Sequence, residues 1–150
     1  MTMLAVAVAV CSSVLTGCGA PTVAIDDYSI AASDTAQCRS LIAAMPGEVA
    51  TQGRRVVEPT TSHIDDYSAV WGDPVIAMKC GLAAPAGYIP VDGDLVVDGI
   101  TWRPLQLSHG YQFFAQGLVV PLSVTVPSEY APETNALADI SPALAKYVKP

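Results

Sequence analysis

The spacing of hydrophobic and polar positions changes several times along this 150-residue chain, and each change marks an element. Residues 1–17 carry no charge, and residues 3–10 are apolar without a break. That run is shorter than the roughly 20 residues of a membrane-spanning helix and has the length of a signal-peptide core. Residues 19–33 are small and polar with no clear period. They read as a tether reaching about 20 Å as a flexible coil, with an edge strand over 22–25 as the alternative. A helix is then expected from Asp34, which with Gln37 has the spacing of a capping box. Cys38, Leu41, Ile42 and Met45 follow as one apolar stripe at i, i+3, i+4 and i+7, and Pro46-Gly47 stops it.

Beyond this helix the pattern shortens. Residues 54–57 read as extended and end at Glu58-Pro59. Ile64, Tyr67 and Val70 or Trp71 recur at helical spacing, so a short helix is expected over 62–71, capped by Ser62 and ended by Gly72 and Pro74. Residues 75–80 are a short apolar run between turn residues, the mark of a buried strand. Leu95-Val96-Val97, Asp98-Gly99 and Ile100-Thr101-Trp102 then spell a hairpin, because Asp-Gly suits the positive φ angles of a type I′ turn. Further strands are expected over 111–115 and 118–126; in the latter Val120, Leu122, Val124 and Val126 share one face. Leu137, Ile140, Leu144 and Val148 line a closing helical segment, divided or kinked at Ser141-Pro142. The expected fold is α+β: one small domain with an antiparallel sheet of about four to five strands, an N-terminal helix, a short central helix and a C-terminal helical segment.

Cysteine usage adds a location. Leu15-Thr16-Gly17-Cys18, directly after the apolar run, resembles the bacterial lipobox. The resemblance implies cleavage after Gly17 and a diacylglyceryl group on the Cys18 thiol. Each buried methylene contributes about 0.8 kcal/mol, so two or more chains anchor lastingly where one is marginal. The division expected is thus signal peptide 1–17, lipid-anchored tether 18–33 and a single α+β domain 34–150. The first Lys or Arg is Arg39, so the positive start of a signal peptide is missing and a start codon upstream is expected. In an exported chain Cys38 and Cys80 read as a disulfide. A zinc site is the alternative, but it needs further ligands, and His63 and His109 are the only histidines.

Charge narrows the partners. Seven Lys and Arg against fourteen Asp and Glu give a net charge of −7, which argues against a nucleic-acid-binding face. Ser62, His63, Asp65 and Asp66 bring together the residue types of nucleophilic catalysis, but no G-x-S-x-G elbow accompanies them, and they read as a surface loop. Asp92, Asp94 and Asp98 fail the calcium-loop order, since the twelfth position from Asp92 is Arg103 rather than Glu. No catalytic residue, metal ligand or cofactor is assigned. Arg54 and Arg55 are candidate binding residues: neighbours on a strand point to opposite faces, and an exposed arginine can take a carboxylate or phosphate of an envelope molecule. Trp71 and Asp73 are further candidates for recognition, against a plainer role in capping the core and turning the chain.

The helix with Cys38 that ends at Pro46, GRRVV, AVWGDPVIAMKCGL, VDGITW and SVTVPSEYAP together resemble an actinobacterial family of small secreted or lipid-anchored proteins, domain of unknown function 3515. The resemblance covers roughly residues 38–132 and implies paired cysteines at Cys38 and Cys80. Lys79 and Ala115-Gln116-Gly117 depart from the pattern, where arginines are expected. The family has no assigned activity. The function expected is therefore a non-enzymatic accessory or binding protein of the cell envelope, exported to the outer face of the cytoplasmic membrane. It would meet the membrane through Cys18 and an envelope protein or small envelope ligand through its surface. The alternative is an envelope hydrolase or transferase using His63 or His109.

Overall fold

In the computed structural model, residues 21–150 are described. The expected signal peptide and the Cys18 lipidation site lie outside the described residues. The helix predicted from the stripe at Cys38 is α1, Thr35–Ala43, and its stripe is buried, with Cys38 and Leu41 fully enclosed. Asp34 has helical angles and makes no side-chain cap; a 3-10 turn over Ala32–Asp34 leads into the helix instead.

The sheet is larger than the sequence pattern indicates, which corrects the expected fold class. Among the described residues it has eight antiparallel strands and two α-helices, not four to five strands. The strands are β1 Glu48–Val49, β2 Gln52–Arg55, β3 Ser68–Trp71, β4 Ile76–Cys80, β5 Leu95–Val97, β6 Ile100–Leu107, β7 Gly110–Gln116 and β8 Leu122–Pro127. Their spatial order is β1-β2-β3-β4-β8-β7-β6-β5. The second helix, α2, Thr134–Leu144, carries Pro142 inside it and continues into a 3-10 turn, Ala145–Tyr147.

Two strands escaped the pattern for physical reasons. β1 and β2 are joined by a two-residue turn in which Ala50 and Thr51 have φ of 48° and 61°, without the Gly, Asn or Asp that normally marks such a turn. The expected central helix over 62–71 is instead a 3-10 turn, Ile64–Tyr67, followed by β3. All four residues of β3 are buried, because the sheet is covered there on both faces, so no alternation shows in the sequence. The Asp98-Gly99 hairpin does form, with φ of 47° and 80°, and pairs Val97 with Ile100.

Both helices pack on one face, over Trp71, Ile76, Met78, Trp102, Leu122 and Val124. Cys38 in α1 is bonded to Cys80 in β4, with Cα atoms 5.5 Å apart, and both are fully buried. The stretch 18–33, read as a tether, does not hang free in its described part. Val23 donates its N–H to Val56 O (2.9 Å) and accepts from Glu58 N–H (2.8 Å). Its side chain closes a small cluster with Val57 and Val70 on the opposite face, and apolar burial of this kind outweighs the entropy of a free coil. Tyr28 continues the docking, its hydroxyl donating to Tyr67 O at 3.0 Å.

Candidate functional site

Three segments far apart in sequence, GRRVV, WGDP and PSEYAP, meet at one end of the sheet. Gly72 is the joint. Its N–H donates to Gly53 O at 3.2 Å, and its carbonyl accepts from Arg55 Nη1 at 3.0 Å. Tyr130 donates its hydroxyl to Pro74 O at 2.6 Å. Gly72 has a φ of 69°, and a Cβ there would stand 2.8 Å from the Tyr130 hydroxyl and 2.9 Å from Gln52, so only glycine fits this junction.

Beside the joint opens a cleft of about 640 Å³ between the β1–β2 hairpin, the segment after β8 and α2. Thr51, Gln52, Glu129, Tyr130, Asn135 and Asp139 supply its polar lining. Asp139 accepts the Ala50 N–H at 2.7 Å and so holds the left-handed turn from which the cleft wall rises. Burial, with the nearby charges of Asp73 and Glu129, pushes the Tyr130 phenol above its ordinary range, against a backbone hydrogen bond at Asp73. Two carboxylates, two carboxamides and hydroxyls favour a ligand rich in hydrogen-bond donors over a phosphate.

The residues singled out from the sequence fall differently. Arg54 and Arg55 do leave β2 on opposite faces, but both are engaged with backbone carbonyls. Arg54 donates to Ile42 O (3.0 Å) and Met45 O (3.2 Å), ending α1, and lies over the Trp71 ring. Burial lowers its pKa. Arg55 joins Gly72 O to Pro21 O. Trp71 is fully buried and donates to Pro46 O at 3.0 Å, the core-capping role. Asp73 is exposed in the turn that Tyr130 grips. The cleft brings together none of these four; its own polar residues leave no signal in the sequence, since carboxamides and carboxylates scattered from Gln52 to Asp139 carry no common spacing.

His63 and His109 are exposed turn residues, and neither lines a described cavity nor makes a side-chain hydrogen bond among the described residues. Asp94 forms a two-pronged ion pair with Arg103 at 2.9 and 3.0 Å, which accounts for one of the aspartates of the VDGD turn. Among the described residues no group of three or more His, Cys, Asp or Glu could hold a metal ion, and no helix is long and apolar enough to cross a membrane. No curated protein and no solved structure matches the chain significantly. The family model described as Protein of unknown function (DUF3515) matches residues 1–150, and the chain belongs to that family.

Proposed function

We propose that this protein is a non-enzymatic accessory or binding protein of the bacterial cell envelope, of actinobacterial type, exported and anchored by lipid on Cys18 at the outer face of the cytoplasmic membrane. The observation that carries this reading is the buried Cys38–Cys80 bond between α1 and β4, a kind of cross-link that persists in oxidising compartments. The Leu15-Thr16-Gly17-Cys18 sequence supports the anchor. The cleft beside Gly72 is the recognition surface in this reading, in place of the two arginines.

The test has two parts. Mass spectrometry of the membrane fraction is expected to find an acylated Cys18 at a new amino terminus, and Cys18→Ser is expected to release the protein from that fraction. An uncleaved chain with an unmodified Cys18 sinks the envelope reading. Crosslinking in intact cells is then expected to recover a partner with the wild type and lose it with a Glu129→Gln, Asn135→Ala double variant of equal abundance. A partner retained by that variant rules out the cleft as the recognition surface.

A further inference from the structure

We infer that the lipidated protein rests directly on the bilayer in one orientation, with the 72–75 turn end of its sheet toward the headgroups. The inference depends on the acylation of Cys18 proposed above. From Cys18 to Pro21 there are three peptide steps, which fully extended span at most about 11 Å. From Pro21 onward the chain is held to the domain. Pro21 O accepts from Arg55 Nη2 at 3.1 Å. Val23 is fastened on both sides of its peptide by Val56 and Glu58, and its side chain is 8% exposed. A lipid on Cys18 therefore cannot lie far from the surface around Pro21.

That surface is identifiable. The guanidinium that holds Pro21 also holds Gly72, so the anchor point adjoins the WGDP turn. Tyr130 bonds Pro74, and Ser128 N–H bonds His109 O at 3.2 Å, which brings the 128–130 segment and the 108–109 turn to the same end. The other end of the sheet is where Gly81 N–H meets Pro121 O and where residues 83–87, leaving β4, border Gly117–Pro121, with β6 alone separating the ends by roughly 25 Å. Gly72 also touches Tyr130 and Gln52, two walls of the cleft. The cleft thus opens at headgroup depth, and what it receives is presented at the membrane surface. Asp73 and Glu129 stand at this end and are repelled by an anionic leaflet, an effect that long acyl chains outweigh.

The full-length protein, purified with its lipid and placed in phosphatidylcholine vesicles carrying a nitroxide on some headgroups, tests this. Fluorophores are attached at Asp73→Cys or Glu129→Cys at the near end and at Ala86→Cys at the far end. The near-end labels are expected to be quenched severalfold more than the far-end label. A Gly/Ser insertion of about fifteen residues between Ala20 and Pro21, reaching about 20 Å, is expected to abolish that difference. Equal quenching at both ends of a protein whose Cys18 is shown by mass to be acylated overturns the orientation and leaves the lipid anchor standing. An unmodified Cys18 overturns both.

Discussion

Arg54 and Arg55 each tie two backbone carbonyls of other segments to β2. Their divergence to opposite faces of β2 follows from strand geometry and is legible in the sequence. Their partners are not, because backbone carbonyls of residues 21, 42, 45 and 72 carry no side-chain signature. Arg54→Ala removes two charged donors from the carbonyl end of α1 and is expected to cost about 1–2 kcal/mol in urea unfolding. The tryptophans make a sharper comparison. Trp71 Nε1 donates to Pro46 O, whereas Trp102 Nε1 is buried with no partner among the described residues. Both lose similar volume on replacement by phenylalanine. Trp71→Phe also strands a carbonyl, while Trp102→Phe removes a donor that none of the described residues accepts from. Trp71→Phe should therefore be the more damaging by about 1 kcal/mol or more, measured by the same unfolding titration.

Elements were legible wherever a side chain reported the backbone. The stripe from Cys38 to Met45 gave α1 its buried face, and Asp98-Gly99 gave the β5–β6 hairpin its turn. The β1–β2 hairpin was hidden because Ala50 and Thr51 take left-handed angles that Asp139 stabilises from α2, a tertiary cause with no local trace. β3 was hidden because burial on both faces erased its alternation. The cleft inherits these omissions, since one of its walls is that hairpin. The cross-link between α1 and β4 spans 42 residues. In the chain-entropy model its loss costs about 4 kcal/mol. A Cys38→Ser, Cys80→Ser double variant is expected to unfold at correspondingly lower urea, and dithiothreitol should bring the wild type to the same midpoint. Equal midpoints for the oxidised wild type and the variant would refute that contribution.

For the whole molecule, acid is the condition to which its charges respond. The Arg103 guanidinium holds the Asp94 carboxyl below its ordinary range, and the Thr60 amide does the same for Asp65. A carboxyl with a depressed folded pKa contributes stability above its unfolded value, near 4, and that contribution is lost as pH falls through the folded value. The thermal midpoint is expected to fall as pH drops below about 4, and less steeply in Asp94→Asn. A parallel acid limb in that variant would exclude the ion pair from the acid response. The order of the strands has a different consequence. Each margin of the sheet is a very short strand: β1 has two residues and β5 three. Stubs of this length offer few unpaired amides and carbonyls to a neighbouring molecule, and in the part of β6 that β5 leaves uncovered Pro104 has no N–H and its carbonyl accepts from the Tyr88 hydroxyl at 2.7 Å. For a protein concentrated in the plane of a bilayer, as proposed here, blunt margins keep crowded copies from zipping together into continuous sheets.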